Sequence, residues 1–301
     1  MAGVSLSTTT VRLIDQPEYG RVWIDLAPAD TPADQRGELL ALYAYNGPGV
    51  FKPHLYPFCC VKGWSITDDQ PADHIHHRSV WFGHDDVDGV NFWTEFGGAN
   101  QGRIVHAGFD ELASGEAAQL VQRNEWRGPD GAVRLHERRT LRFATEDEAR
   151  VRILDWTSEL TPPGDAPVTL GETKEAGMPM VRVADAIIGK RAGIIVDDQG
   201  RAGEQDTFGQ PTRWIDYAGP LTPDGGVYGI AILDHPDNPH YPSPAFTRAY
   251  GPLSLADWTH FRGPYRIEPG EPLVLRTRII VHPGDAAEAR IDERYEAYLA
   301  E

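Results

Sequence analysis

Apolar and polar residues alternate with a period of two along most of the chain, and this alternation predicts β-strands that are buried on one face. In Pro272–Val281, for example, Leu275, Ile279 and Val281 share one face, and arginines occupy the other. Turn-forming Gly, Pro, Asp and Asn bound these runs. Further strands are predicted at Arg21–Leu26, Glu38–Tyr45, Arg103–Phe109, Ala118–Trp126, Val133–Phe143, Val151–Leu160, Pro167–Glu172, Met180–Ile188, Gly193–Val196, Thr212–Tyr217 and Val227–Leu233.

The C-terminal segment has a helical period instead, and it predicts a helix from Asp285 to Leu299. Asp285 and Glu288 have the spacing of a capping box. Ile291, Tyr295 and Leu299 recur about every fourth residue and form one apolar stripe. We expect this helix to cover an outer sheet face.

The order of these elements predicts one domain over residues 1–301, because the sequence contains no internal repeat, low-complexity tract or long linker. The polar segment Asp197–Thr207 is predicted to be a long loop. Many short strands and a single helix indicate an all-β fold. We predict a large antiparallel β-sandwich of two packed sheets with one C-terminal helix.

Charge, hydropathy and cysteine content indicate which partners and which cellular compartment to expect. The 301-residue chain has a formal net charge of −17, which disfavours nucleic-acid backbones and anionic membranes as partners. No run approaches the roughly 20 apolar residues of a membrane span, and residues 1–15 lack the features of a signal peptide. Cys59 and Cys60 are adjacent, a spacing that rarely suits a disulfide, and we expect two small residues near a core strand. A reducing, cytoplasmic location is predicted.

Chemically versatile residues are concentrated in one region. Residues 73–93 contain four of the eleven histidines, and histidine exchanges protons near neutral pH and binds metals as the neutral imidazole. We predict that this region lines the functional cavity. In an acid–base site, His76 or His77 would be the general acid or base, and Asp73 or Asp85 would set its tautomer.

A metal site is the alternative use of these histidines. On a strand, His74 and His76 would share one face and His77 would point away. A cupin-type site needs a glutamate about four residues after the second histidine, whereas Glu95 comes much later. A divalent metal stays possible, and no other cofactor is predicted. The candidate ligands are His54, His76, His77, His84 and His235.

Three further segments combine polar and aromatic residues. Lys174 and Glu175 stand at a strand end, where the usual interpretation is a solvated turn. On one strand, Trp214 and Asp216 would share a face and offer a sugar a ring and a carboxylate, with Tyr217 on the other face. The proline-rich segment 234–242 would hold two more side chains, His235 and Asn238, in a stiff loop.

These motifs, in this order, resemble a bacterial family usually labelled "PmoA family protein", a domain of unknown function. The likeness spans about residues 40–283. It rests on Asp73–Arg78 with Trp81–His84 and Asn91–Trp93, on Thr173–Glu175 with Val181–Ala184, on Trp214–Tyr217 and on Asp234–Pro239. This chain departs from the family pattern at Ile75, Ser79 and Ala245–Arg248, and the last departure replaces an expected Trp-His pair.

The resemblance implies a β-supersandwich of the galactose-mutarotase type. The label suggests a methane oxygenase subunit, but that subunit is a membrane protein, so we do not adopt this meaning. Members often accompany sugar-oxidising dehydrogenases and sugar isomerases, which implies a carbohydrate ligand. A shared fold alone does not prove a function.

Two functions follow as hypotheses. The first is an enzyme that acts on a sugar or keto sugar as a C–O lyase, hydratase, glycosidase or epimerase, and the second is a sugar-binding or sensing protein. In the enzyme, Lys174 or Arg78 would stabilise an oxyanion, and Glu175 or His235 would oppose the catalytic histidine. A metal acting as a Lewis acid is a third version. The predicted substrate-binding residues are Arg78, His84, Asn91, Trp93, Trp214, Asp216, Tyr217 and Asn238.

Overall fold

The computed structural model of the protein describes residues 9–32, 34–255 and 258–301, and for Trp258 only the backbone. Within these residues the chain forms eighteen strands, three α-helices and three single-turn 3₁₀-helices at Pro17–Tyr19, Asp185–Ile187 and Gly189–Arg191. The strands are β1 (Thr9–Gln16), β2 (Arg21–Pro28), β3 (Glu38–Ala44), β4 (His54–Phe58), β5 (Val80–His84), β6 (Arg103–Ala113), β7 (Ala118–Arg127), β8 (Val133–Glu146), β9 (Val151–Thr161), β10 (Val168–Leu170), β11 (Ala176–Arg182), β12 (Ile194–Asp197), β13 (Trp214–Pro220), β14 (Val227–Asp234), β15 (Phe246–Thr247), β16 (Pro252–Ser254), β17 (Tyr265–Ile267) and β18 (Leu273–Pro283). The α-helices are α1 (Gly203–Thr207), α2 (Trp258–Arg262) and α3 (Ile291–Leu299).

Two eight-stranded antiparallel sheets form the body of the described chain. Sheet one has the order β1-β2-β3-β4-β5-β11-β16-β15, and sheet two has the order β12-β13-β14-β18-β9-β8-β7-β6. A separate two-stranded sheet pairs β10 with β17. The predicted all-β class and the large antiparallel sandwich are therefore confirmed.

The main core lies between the inner faces of the two sheets. Phe82 of β5 lies 6.0 Å from the ring of Trp126 and 6.1 Å from that of Trp156, both in sheet two. Successive side chains of a strand point to opposite faces. The inner face of β5 therefore carries Val80 and Phe82, whereas Trp81 points away from this core.

Each sheet also has a covered outer face. On sheet one, Trp81, Trp93, Met180 and Phe246 form a small aromatic cluster. On sheet two, outward-facing residues of β9, β13, β14 and β18 pack against α3 and the segment before it. These two outer faces lie on opposite sides of the sandwich, and this separation decides which candidate residues can meet.

The C-terminal helix follows the prediction in part. The capping-box bonds form: the Glu288 amide donates to Asp285 Oδ1 over 2.9 Å, and the Asp285 amide donates to Glu288 Oε2 over 3.1 Å. Arg290 then takes the left-handed conformation, with φ of 54°, so that α3 begins only at Ile291. The predicted cover of an outer sheet face is confirmed.

Other boundaries differ from the prediction. The strands β1, β4, β5, β15, β16 and β17 are absent from the prediction, and β11 spans Ala176–Arg182 rather than Met180–Ile188. The predicted loop 197–207 contains the short helix α1. Cys59 and Cys60 are both buried thiols, as expected near a core strand. The expectation that residues 1–15 are not a signal peptide concerns a segment whose residues 1–8 lie outside the described residues. None of the described helices combines the length and the hydropathy needed to cross a membrane.

Candidate active site at the outer face of sheet one

Three histidine side chains meet on a loop before β5. The loop folds by consecutive turns, in which the His74 amide donates to the Pro71 carbonyl and the His77 amide donates to the His74 carbonyl, both over 2.9 Å. The ring centroids lie 4.7 Å apart for His74 and His77 and 4.8 Å apart for His76 and His77. We call His74, His76 and His77 the histidine cluster. The expectation for a strand, in which His77 would point away from the other two, is wrong because the residues form turns.

Two tryptophans form the floor beneath the histidine cluster. The His77 ring lies 5.1 Å from that of Trp81, which lies 5.2 Å from that of Trp93. Both indoles are almost completely buried. Neither indole N–H has a hydrogen-bond partner among the described residues. Trp93 thus lies beneath the histidine cluster as a buried floor, whereas the sequence led us to expect a ring that stacks on the sugar.

Arg182, at the end of β11, connects the cluster to Asp73. Its guanidinium makes two 2.9 Å hydrogen bonds to the Asp73 carboxylate, and its Nη1 lies 3.3 Å from His77 Nδ1. The Tyr250 ring stacks on His74 at 4.8 Å and lies 5.1 Å from the guanidinium carbon. Asp73 therefore reaches His77 through Arg182 instead of bonding to that ring directly, which corrects its expected role.

A buried ion network holds the loop from below. Glu95 accepts a 2.7 Å hydrogen bond from Lys52 Nζ and is also bonded by the Arg78 guanidinium. Lys52 Nζ donates further to the carbonyls of Trp93 (2.6 Å) and His76 (3.2 Å). Burial lowers the pKa of Lys52 to about 8. Because Arg78 is committed to Glu95, its predicted role as a substrate ligand or oxyanion stabiliser is corrected to a structural one.

His76 is the histidine of the cluster whose ring nitrogens are not bonded to the described part of the protein. Its side chain is buried, yet neither ring nitrogen has a hydrogen-bond partner among the described residues. The Nε2 atom lies 3.9 Å from Glu175 Oε2, and the ring packs edge-on at 5.2 Å against Phe96. Burial lowers the pKa of His76 to about 4 and that of His77 to about 2. Both imidazoles are therefore neutral at pH 7.

Carboxylates border His76 on the side of β11. Glu175 is half-buried, and its carbonyl accepts a 3.0 Å hydrogen bond from the Asp85 amide. Burial raises the pKa of Asp85, and the neighbouring Glu175 raises it further, while a hydrogen bond with Thr173 acts in the opposite direction. Lys174 is exposed. The structure thus brings the Glu175 carboxylate to the edge of the site, with the backbone of Asp85 beside it.

Two predicted substrate-binding residues serve the fold instead. His84 is completely buried: its Nδ1 accepts from the Asp86 amide over 3.1 Å, and its Nε2 lies 3.1 Å from Thr259 Oγ1. The side-chain oxygen of Asn91 accepts from the amides of Trp93 and Thr94, each over 2.9 Å. Both ring nitrogens of His84 and the side-chain oxygen of Asn91 are thus bonded to the protein and hold the local fold.

The remaining candidates lie elsewhere, which corrects the expectation of one shared cavity. His235 packs against Tyr298 of α3, and the side chain of Asn238 bonds Asp234 and the backbone of Arg276. These contacts lie on the helix-covered side of sheet two. Tyr217 points into the main core, where its hydroxyl donates to the Ala249 carbonyl.

On β13, Trp214 and Asp216 share the outer face of sheet two, as predicted. Trp214 Nε1 donates to Asp292 over 2.8 Å. Both residues are thus on the opposite side of the sandwich from the histidine cluster.

The proposed metal ligands do not converge. His54 Nδ1 is bonded to the Lys52 carbonyl at 2.9 Å, while His84 and His235 have the separate positions described above. His77 Nδ1 faces the Arg182 guanidinium, whose charge opposes a cation there. No group of three or more His, Cys, Asp or Glu residues in the described part of the chain has an arrangement that could hold a metal ion. These residues do not fit a metal centre, and we derive no step through one.

Sequence reasoning missed four contributors to this site: Lys52, Phe96, Arg182 and Tyr250. Of these, Arg182 lies inside a segment that carries the family resemblance, and this position is a signal by which sequence analysis could have found it. Phe96 comes three residues after Trp93 in the sequence, and this spacing indicates a pair of aromatic residues on one loop. Nothing in the local pattern around Lys52 or Tyr250 links either residue to the cluster.

A family model covers most of the chain, including the histidine cluster. Residues 32–296 match the model of a family of unknown function, DUF6807. The chain belongs to the DUF6807 family. The match includes the whole histidine cluster and extends beyond the span expected from the sequence motifs. The comparisons give no support to the "PmoA" label, and no curated protein matches this DUF6807 chain.

Solved structures with a similar fold include sugar-acting enzymes. The GH36 α-galactosidase AgaB from Geobacillus stearothermophilus matches 91% of this chain and 41% of its own, with 11% identity and a TM-score of 0.46. A putative aldose 1-epimerase from Escherichia coli K12 matches 92% of this chain and 100% of its own, with 14% identity and a TM-score of 0.33. This DUF6807 chain spans less than half of the galactosidase. At these values the matches concern the fold and carry nothing about activity.

Proposed function

We propose that the histidine cluster is the active site of an enzyme that moves a proton on a sugar or an oxidised (keto) sugar. The observation that carries the proposal is His76: a buried, neutral imidazole whose two nitrogens lack protein partners and whose Nε2 lies 3.9 Å from a carboxylate. Buried polar atoms are nearly always hydrogen-bonded in folded proteins. A ligand with several hydroxyl groups supplies the missing partners.

The spacing between His76 and Glu175 suits a shared substrate group. A separation of 3.9 Å is too long for a direct hydrogen bond but allows one hydroxyl oxygen to lie about 2.8 Å from both atoms. A substrate hydroxyl in this position would donate to one group and accept from the other if that group carries a proton. This arrangement is what a proton transfer between a base and an acid requires.

Aromatic and apolar side chains at the rim support a sugar ring. Phe96 is 61% exposed and Ile75 is 51% exposed, although both are large and apolar. The apolar face of a pyranose can stack on such a ring while its hydroxyls reach polar neighbours. Phe96 also contacts His76 directly, so a sugar stacked there lies next to the imidazole.

The low pKa of His76 supports a role as the proton acceptor. Because the pKa of His76 is lowered to about 4 by burial, its neutral imidazole accepts a proton from the substrate. Glu175, whose Oε2 lies 3.9 Å from His76 Nε2, is the carboxyl group that would exchange a proton with the other side of the same substrate group. The C–O lyase, hydratase, glycosidase and epimerase reactions all use such a pair.

One observation favours a second candidate, a protein that binds a sugar without turnover. A histidine with a pKa near 4 is a weak base at neutral pH, since efficient general bases have a pKa near the working pH. A neutral imidazole that only donates and accepts hydrogen bonds would satisfy the same geometry. Turnover decides between the two candidates.

The test compares binding and turnover for a panel of free and 3-keto sugars and glycosides. Binding is measured by calorimetry, and products are followed by NMR. We expect His76→Gln to retain binding within about tenfold and to lose about 10²–10⁴-fold in kcat, the usual contribution of a general acid or base. Glu175→Gln should behave in the same way, and Phe96→Ala should raise KM with a smaller effect on kcat.

His136→Gln is the matched control, because His136 is an exposed histidine on β8 of sheet two. Binding without turnover would support the sugar-binding protein. If no member of the panel binds, or if His76→Gln turns over as fast as the unchanged protein, the assignment of the histidine cluster is wrong.

A further inference from the structure

A cavity of about 680 Å³ lies on the side of the sandwich opposite the histidine cluster. Its floor is the outer face of sheet two, and its roof is the segment 285–293, which leads into α3. Apolar side chains form most of the wall: Trp214 and Ala218 of β13, and Ile194 and Val196 of β12. This volume is typical of a pocket for a small organic ligand.

One buried acidic group faces the cavity. Asp216 Oδ1 lies 2.9 Å from His282 Nε2, while Oδ2 is buried and has no hydrogen-bond partner among the described residues. A buried carboxylate oxygen without a partner is unfavourable. Since Asp216 is itself part of the cavity lining, a ligand in the cavity can donate to Oδ2.

The His282 side chain reaches Asp216 across the strand between them. Gly229 of β14 lies beneath the imidazole, and a Cβ atom at this position would come within 2.4 Å of His282 Cε1. The glycine therefore makes room for the contact. The pair is built by residues of three adjacent strands, β13, β14 and β18, which makes it a rigid feature of the sheet.

The charge around the cavity favours cations. The acidic residues of the described lining are Asp197, Asp198, Asp216, Asp285, Asp292 and Glu293. Arg201 pairs with Asp197, Arg213 pairs with Asp198 and Asp292, and Arg290 pairs with Glu293 at 3.1 Å. The acidic residues still outnumber these three arginines. An anionic ligand would face repulsion here, and a positively charged one would be attracted. The net charge of −17 acts in the same direction.

We infer that this cavity binds an organic ammonium compound with an apolar body. The ammonium group donates to Asp216 Oδ2, and the apolar body lies against Trp214, Ala218 and Ile194. This site is distinct from the histidine cluster, and its ligand differs in chemistry from the sugar proposed there. The two sites can therefore be tested independently.

The test uses three probes with one apolar skeleton and different end groups: 3-phenylpropylamine, 3-phenylpropan-1-ol and 3-phenylpropanoate. Binding to the full chain is measured by calorimetry and by saturation-transfer NMR. We expect the amine to bind about tenfold or more tightly than the alcohol, a ratio that corresponds to about 1.4 kcal/mol. The carboxylate should not bind at millimolar concentration.

Two variants locate the binding. Asp216→Asn should weaken amine binding about tenfold or more, because it replaces one acceptor oxygen of the carboxyl group by an amide donor but keeps the size of the side chain. Ile194→Arg adds a positive charge at a position that is 58% exposed, so folding is preserved even if Asp216→Asn is unstable. It should weaken the amine more than the alcohol.

Val105→Arg is the matched control, since Val105 is a half-exposed residue on β6, at the opposite edge of sheet two. Any one of three results would overturn the inference. The amine and the carboxylate bind equally well, or the amine does not bind at millimolar concentration, or the amine affinity is unchanged in both Asp216→Asn and Ile194→Arg.

Discussion

Arg139 and Glu137, an ion pair on β8, lie in the main core with no solvent exposure of either side chain. The Glu137 carboxylate accepts from Arg139 Nε over 2.7 Å, and from the Trp126 indole N–H over 3.0 Å. Arg139 Nη1 extends across the core to sheet one, where it donates to the Tyr43 hydroxyl over 3.0 Å. The pair thus connects the two sheets, and removing one partner tests how much the connection contributes.

We expect Arg139→Met to lower the free energy of unfolding by about 3–5 kcal/mol, because it leaves the Glu137 carboxylate buried without its counter-charge. The remaining donors, among them Asn124 and Ser158, keep the loss from being larger. Methionine replaces much of the arginine volume, so a cavity contributes little. A loss of this size is a large part of the roughly 5–15 kcal/mol that stabilises a domain.

The double variant Arg139→Met, Glu137→Gln separates charge from packing. Without the carboxylate charge, the cost of burying an unpaired ion disappears, and we expect the double variant to be more stable than Arg139→Met by about 1–3 kcal/mol. The measurement is urea unfolding followed by tryptophan fluorescence. Trp156, whose ring lies 4.6 Å from the Arg139 guanidinium carbon, reports on this region.

The control is an exposed ion pair in the same sheet. Arg123 and Asp110 make a 2.8 Å contact with side chains that are 57% and 42% exposed, and Arg123→Met should cost less than about 1 kcal/mol. If Arg139→Met costs no more than Arg123→Met, or if adding Glu137→Gln increases the loss, the argument from an unpaired buried charge is refuted.

Two more predictions concern pH and sheet packing. Burial lowers the pKa of several histidines below the value of about 6.5 in the unfolded chain, so the unfolded chain takes up protons first and stability should fall as the pH drops from about 6.5 to 4. At pH 5, each histidine with a folded pKa of about 4 should lower the free energy of unfolding by about 2 kcal/mol. Asp69 and Asp234, whose pKa burial raises to about 6, partly offset this loss. A urea midpoint that does not fall between pH 7.5 and 5 would contradict this prediction. The histidines concerned are His54, His76, His77 and His84. Gly229→Ala should destabilise the fold by about 1–3 kcal/mol through its contact with His282, and a thermal midpoint equal to that of the unchanged protein would show that the imidazole moves aside freely.

Most strands could be predicted from the sequence because one face of each is buried and the other is not. Six strands are exceptions, and they have physical reasons. The strands β15, β16 and β17 are two or three residues long, too short for an alternation to be detected. All five residues of β5 are buried, since the aromatic cluster covers its outer face, and no alternation remains to be detected. The strand β4 contains Pro57, which argues against a strand, and β1 is an edge strand with a single buried residue, Val11.

The candidate site was predictable in position but not in geometry. The density of histidines pointed to the loop that carries the histidine cluster, yet side-chain directions in consecutive turns follow no fixed period. The contacts that define the site are distant in sequence: Asp73 and Arg182 are 109 positions apart. His235 was misplaced for the same reason, because no local pattern shows on which side of the sandwich a loop will lie.

The contacts of the histidine cluster also give the neighbouring residues His76 and His77 different roles. Because Arg182 Nη1 is a donor with a permanent positive charge, His77 Nδ1 at 3.3 Å must be an unprotonated acceptor, and the ring proton then resides on Nε2. This fixed tautomer makes His77 a rigid part of the wall, held by Arg182 and by the stacking of His74. His76 has no such constraint, since both of its nitrogens lack protein partners. Of the two histidines, only His76 can exchange a proton without first breaking a contact in the protein.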